Sequence, residues 1–257
     1  MFSTVRFVAA TSVTIVNNFC SSKQAQFNRW AFFVSVNNIM KYRSNKERGY
    51  IGCSRLGEDN YTSRRSFDFE GYQSGIYLNW GPIVTINDDS TKPGFVTAYH
   101  EHKNLDILSY VVRGSVKHHD NLGNNVTAQA GQVQHMSCGT GIWHTEANSG
   151  LEPNRYLQIW IISNQLSFGW EPKYTLITRQ PGFNKLPAEL KNTKLEIWCG
   201  ELDQEYEVDC RSYLLVLEGS CSVDEFDLEE GDSLEIDKYS TVIPKDNPHI
   251  ILFKMLR

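Results

Sequence analysis

Beyond residue 40 the chain is built of short apolar runs cut by Gly, Asn and Asp. The runs at 107–112 (Ile-Leu-Ser-Tyr-Val-Val), 157–162 (Leu-Gln-Ile-Trp-Ile-Ile), 195–198, 213–217 and 249–253 are rich in β-branched, aromatic and aliphatic residues. Runs of that length bounded by turn formers predict strands, and many of them in series predict an all-β sandwich or barrel. Leu122-Gly123-Asn124 reads as a hairpin tip. The one helix candidate is 187–191, where Pro187 suits a first helical position and Ala188 and Glu189 follow.

The pattern repeats. Tyr110-Val-Val-Arg-Gly-Ser-Val resembles Leu215-Val-Leu-Glu-Gly-Ser-Cys-Ser-Val, and Ala130-Gly-Gln-Val resembles Glu230-Gly-Asp-Ser-Leu. Gly114 is answered by Gly219, and Gly131 by Gly231, at offsets of about a hundred residues. A period that long points to two similar β-barrels in tandem, because solenoid units are ~20–50 residues. The expected division is 40–165 for the first barrel and 166–257 for the second.

Residues 1–39 stand apart. They hold Arg6, Lys23 and Arg29 but no acid, whereas all 30 Asp and Glu lie from Glu47 onward. A non-native or disordered extension, an acid-poor presequence and an extra ordered element all fit that composition. Met40 is a plausible initiator for the remainder.

Composition narrows the function classes. The formal net charge of -5 and the lack of any basic stretch argue against direct nucleic-acid binding, which needs a basic face. The most apolar stretch, 7–16, is far too short to span a bilayer, so no membrane role is expected. The 6 cysteines show no Cys-x-x-Cys pair, as expected of reduced thiols in a cytoplasmic protein with no disulfide framework.

Two patches carry candidate chemistry: His100-Glu101-His102, and His144-Thr145-Glu146 after Gly139-Thr140-Gly141. Residues i and i+2 of a strand leave the same face, so each patch presents two metal-ligand groups side by side. Surface histidines beside an acid are the competing reading. Tyr99, Trp143, Phe67 and Phe69 are expected in the core, Cys138 as a small buried thiol, and His135 as hydrogen-bonded or solvated. His118 and His119 face opposite sides, so at most one points inward. The second repeat offers Glu205-Tyr206-Glu207 where the first has its histidine pair, and its only histidine is His249, so it is expected to hold no metal.

The blocks Phe95-Val-Thr-Ala-Tyr-His-Glu-His-Lys, Asp106-Ile-Leu-Ser-Tyr-Val-Val-Arg-Gly, His119-Asp-Asn-Leu-Gly-Asn and 130–146 together resemble the pirin family, bicupins of the cupin superfamily. Asn45-Lys-Glu-Arg-Gly and Ser66-Phe-Asp-Phe resemble the family's opening. The likeness covers roughly 40–257, strongly in the first barrel and loosely in the second. It implies two tandem cupin (jelly-roll) barrels and a metal held by His100, His102, His144 and Glu146. Glu101 replaces the usual proline, but alternation turns it away from the metal. Asp106, where other cupins place an acid, is expected to be structural.

Three imidazoles and a carboxylate leave two positions open on an octahedral ion, as in non-haem iron oxygenases. The resemblance further implies one divalent transition metal, Fe(II) foremost, with Cu, Mn, Ni, Co or Zn as alternatives. Pirins are similar to quercetin 2,3-dioxygenases, so the implied reaction opens the central ring of a flavonol with dioxygen, Glu146 serving as ligand and proton acceptor. The alternative is a metal-dependent, redox-sensing regulator that binds a transcription factor or a metabolic enzyme. A cupin isomerase or hydrolase is a third reading.

Overall fold

The computed structural model describes residues 40–54, 59–162, 169–191 and 193–256. What was expected of residues 1–39 lies outside the described residues. The fold is all-β: among the described residues there are 19 strands and a single 3-10 turn, Asn45–Glu47. No helix among them is long and apolar enough to cross a membrane.

The strands form three sheets. A 7-stranded sheet runs in the order β12 (Lys173–Thr178), β9 (Gln132–Ser137), β6 (Leu105–Arg113), β11 (Asn154–Ile162), β4 (Ile83–Thr91), β3 (Asp59–Arg65), β2 (Gly49–Ser54). A 4-stranded sheet runs β5 (His100–His102), β10 (Ile142–Ala147), β7 (Ser115–Asp120), β8 (Asn125–Gln129). The 8-stranded sheet has the path β1 (Lys41–Arg43), β18 (Ser233–Ile236), β16 (Ser212–Val223), β19 (Ser240–Met255), β14 (Leu195–Glu201), β13 (Asn184–Lys185). Strands β15 (Tyr206–Val208) and β17 (Phe226–Leu228) flank that path. Two strands reach across the division expected at 165/166: β1 pairs with β18, and β12 pairs with β9.

Side-chain alternation sorts each long strand into two cores. Along β6, Leu108 and Tyr110 join the largest cluster, which also draws Leu157 and Ile159 from β11 and Leu215, Ile251 and Phe253 from β16 and β19. Each such side chain removed from water contributes on the order of 1.5–3 kcal/mol. The two halves of the repeat are therefore held together by their own strands, through a shared apolar face. The other face of β6 looks into the first barrel, and there the filling is mixed. Ile107 packs with Met136 and Ile142 at one end, and Val111 with Val116 and Tyr156 at the other. Between these ends the inward residues are polar, among them Ser109, Gln134, His118, His144 and Glu146. In the second barrel the interior is apolar, filled by Leu214, Val216, Val223, Leu234 and Leu252.

The repeat has a conformational signature. Gly114 and Gly219 have φ of 73° and 71°, and Gly131 and Gly231 have φ of 82° and 84°. Gly131 N donates to Val111 O at 2.9 Å, and Gly231 N donates to Val216 O at 2.8 Å, the matching carbonyl in each copy. Left-handed backbone at these turns is what glycine alone adopts without strain.

The expected helix at 187–191 does not form. Burial there alternates, with Leu186 buried and Ala188 and Leu190 packed on the main cluster while Pro187 and Glu189 are exposed, so the segment is extended. Five residues are too few to offset helix nucleation, and Lys191 N is instead committed to Asp106 Oδ2 at 2.9 Å.

Glycine substitutions separate strain from collision. A Cβ on Gly219 (φ +71°) would fall 2.0 Å from Asp246 O, whereas one on Gly123 (φ +93°) meets nothing within 4 Å. Gly123→Ala should therefore cost ~1 kcal/mol and Gly219→Ala more than ~3 kcal/mol in chemical denaturation. Equal losses would show that the close approach at Gly219 is absent in solution.

Candidate metal centre

The centre is laid out by the 4-stranded sheet. Strand β10 lies between β5 and β7, with His144 opposite His100 on one side and Asp120 on the other. One row along, Glu146 stands opposite His118, and Ile142 opposite His102. Directly opposed side chains share a face, so His100, His102, His118, Asp120, His144 and Glu146 all belong to the inner face of this sheet. The start of β10 is fixed by the Gly-Thr-Gly turn: a Cβ on Gly139 would lie 1.9 Å from Trp170 O.

Three imidazoles converge. The ring centroids of His100, His102 and His144 are 4.5–5.0 Å apart, and one nitrogen from each lies within 4.8 Å of the others. His100 Nδ1 sits 2.8 Å from Ala98 O; a carbonyl only accepts, so the proton is on Nδ1 and the Nε2 lone pair is free. His144 is fully buried, and neither of its ring nitrogens has a partner. Glu146 comes within the same reach of His144 and His118. Its carboxylate is held from both sides: Ser109 Oγ donates to Oε1 at 3.3 Å and Gln158 Nε2 to Oε2 at 3.1 Å. Trp160 Nε1 donates to Gln158 Oε1 at 2.8 Å, which turns the amide nitrogen of Gln158 toward Glu146. The same Trp160 ring stands edge-on to His102 at 4.7 Å.

Burial sets the protonation states. It pushes His144 down to about 2, with repulsion from His100, His102 and His118 adding to it, and pushes His102 down to about 4. Burial also lifts Glu146 to about 7, helped by the Asp89 charge and opposed by the hydrogen bonds from Ser109 and Gln158. His102 and His144 are thus neutral near pH 7 with lone pairs available, as metal ligation requires. A borderline N/O donor set, two unpartnered nitrogens on one buried ring and a carboxyl that resists ionising all suit a divalent transition metal.

Other expectations resolve one by one. Asp106 is buried and accepts from His135 Nε2 at 2.9 Å and from Lys191 N, a structural role for both side chains. Glu101 pairs with Lys103 at 3.0 Å. Cys138 is buried and free, its thiol pushed up by burial, and Cys199, Cys210 and Cys221 are also free. Phe67 is in the core, but Tyr99 and Trp143 are not: they are 53% and 41% exposed and pack on each other on the outer face of β5 and β10. Among the described residues no layer covers that face, so side chains pointing away from the histidines are exposed. Phe69 is only partly buried, its ring edge-on to Trp160 at 4.6 Å. His118 is fully buried against the centre and His119 is exposed. A cavity of about 580 Å³ lies elsewhere, lined in part by Arg64, Asp88, Arg155 and Glu230. The Arg155–Asp88 and Arg155–Glu230 ion pairs already satisfy much of its charge.

Residues 48–161 match the family model named Pirin. Over that stretch, a little under half of its length, the chain is similar to a pirin domain. A pirin-like protein from Caulobacter vibrioides is 39% identical over 112 residues, 44% of this chain and 47% of its own. Quercetin 2,3-dioxygenase from Escherichia coli K12 is 36% identical over 133 residues, 51% of this chain and 54% of its own. The chain thus spans about half the length of these relatives. In solved structures the likeness extends further. The pirin YhhW from Escherichia coli superimposes with a TM-score of 0.76 at 26% identity, covering 85% of this chain and 98% of that one. The same bacterial pirin has been crystallised in complex with nickel(II), again with a TM-score of 0.76 and 26% identity, covering 84% of this chain and 99% of that one.

The raised Glu146 gives the centre a pH signature. Its acid sits at about 7 when folded against an ordinary 4.5, so protonation favours the folded metal-free protein below about 4.5 and that advantage is lost as pH rises through 7. Metal-free Glu146→Gln, which cannot ionise, should be more stable than metal-free wild type at pH 8 by ~2 kcal/mol and nearly matched at pH 5, read by urea denaturation. A constant gap at both pH values would place Glu146 in contact with solvent.

Proposed function

We propose that the protein is a metal-dependent dioxygenase that opens the central ring of a flavonol such as quercetin and releases carbon monoxide. In this reading His100, His102, His144 and Glu146 hold one divalent ion, Fe(II) first among the candidates and Ni(II), Cu(II), Mn(II), Co(II) or Zn(II) after it. The observation that carries it is the convergence of three imidazoles, His100, His102 and His144, beside the buried carboxyl of Glu146. The names of the relatives support the substrate class.

A bound ion supplies Lewis acidity toward the flavonol hydroxyl and electronic access to dioxygen. The side chains supply the rest. Glu146, held in the ion's donor set as a carboxylate, would take the hydroxyl proton of a substrate bound beside it. Ser109 and Gln158 keep both its oxygens oriented, so no reorganisation accompanies the transfer. Trp160 and Phe69, stacked edge to face beside His102, present an apolar wall against which a flat aromatic ring can be positioned. The apolar layer of Ile107, Met136 and Ile142 closes the barrel beside them and limits water.

The test is aerobic incubation of Fe-, Ni-, Cu- or Mn-loaded protein with quercetin. Loss of flavonol absorbance should match carbon monoxide release one for one, and His144→Ala should lower the rate at least ~100-fold. Inactivity with every ion, or quercetin loss without carbon monoxide, would contradict the proposal. It would favour instead a regulatory role in which the ion's oxidation state alters a surface for a protein partner.

A further inference from the structure

His118 belongs to the centre but not to the proposed quartet. It is fully buried on β7, directly across from Glu146 on β10. A ligand atom of His118 lies within 4.8 Å of one from His144 and one from Glu146, so the inner face holds two overlapping triads that share His144. We propose that His118 is a metal ligand, and that with His144 and Glu146 it forms an inner cation position, offset from the outer one of His100, His102 and His144. This rests on the reading of the site as a metal centre.

Hydrogen bonding decides which nitrogen faces the ion. His118 Nε2 is 2.9 Å from Asp120 Oδ2, and a carboxylate only accepts, so Nε2 carries the proton and Nδ1 the lone pair. That Nδ1 is buried with no partner. A carboxylate behind one ring nitrogen, leaving the other bare, is how metal-ligating histidines are oriented. Asp120 is itself pinned, accepting from Leu122 N at 2.9 Å and Asn124 N at 3.0 Å. The His118 ring is fixed by stacking on Tyr174, 4.4 Å between centroids and 19° between planes. His144, with both nitrogens free of partners, can serve either triad.

The positions are alternatives for one ion. Two dications sharing one imidazole would face a single ligating carboxylate, Glu146, and their repulsion in a buried site would exceed what it offsets. The outer triad offers imidazole nitrogens alone, whereas the inner one adds a carboxylate, so an ion deprived of His100 and His102 still has a mixed N/O site to fall back on. One repeat later, the counterpart of His118 is Val223, buried in the apolar interior of the second barrel.

The test uses Ni(II) titrated into the metal-free full chain against a chelating dye, with folding of each variant checked by circular dichroism. Wild type should take up one ion. His100→Ala/His102→Ala should still take up one ion, more weakly by about 10–100-fold, and adding His118→Phe should abolish uptake. Phenylalanine keeps the stack on Tyr174 and removes the nitrogen. Loss of uptake in the double variant alone, or uptake persisting in the triple variant, would overturn the inner position. No uptake by wild type would overturn the metal-centre reading with it. Should the double variant not fold, His118→Phe alone decides: about tenfold weaker uptake, with one nitrogen fewer in the Cu(II) electron paramagnetic resonance spectrum, is expected. Unchanged affinity and spectrum would refute it.

Discussion

A fully buried imidazole with two unpartnered nitrogens is the constraint around which the first barrel is organised. Leaving such polar atoms dry costs on the order of 1–3 kcal/mol each unless something pairs with them. His144 pairs with no protein atom, although Ser109, Gln158 and Asp120 nearby are all engaged by neighbours. The donors around it are held ready by bonds on their far sides: Ala98 O behind His100, Asp120 behind His118, Ser109 and Gln158 behind Glu146. The region is preorganised for a cation, and that preorganisation explains why a carboxyl and three imidazoles are buried together at all.

The remainder of the fold serves this placement. Apolar layers above and below the polar band seal it, and the sheet-to-sheet core shared by both barrels fixes the strands that carry it. The second barrel shows the same template without the burden. Where the first has Ser109, His118 and Gln134, the second has Leu214, Val223 and Leu234 at the positions about one repeat on, all buried. One architecture thus supports either a polar interior or an apolar one, depending on a handful of inward residues.

Much of this was legible in the sequence because strand alternation is a strict rule. It places His100 with His102 and His144 with Glu146 on one face whatever the partners are, and the paired glycines at 114/219 and 131/231 mark equivalent turns in both copies. The misreadings came where the outcome depended on what lies opposite. Tyr99 and Trp143 point away from the histidines as alternation requires, but nothing among the described residues covers that outer face, so they are exposed instead of buried. Residues 187–191 carry helix-compatible side chains, yet Asp106 captures Lys191 N and the segment stays extended. His118 sits in a His-His-Asp string whose i+2 carboxylate, Asp120, is spent on the His118 ring itself, so only the register of β7 against β10 could reveal that it faces Glu146.

The central claim is that a single divalent ion binds against His144. Anomalous diffraction from crystals of nickel-loaded protein tests it most directly. One anomalous peak about 2.1 Å from a ring nitrogen of His144, within the ring of His100, His102, His118 and Glu146, is expected. A peak bound only to surface groups, with the His144 ring contacting water alone, would contradict it.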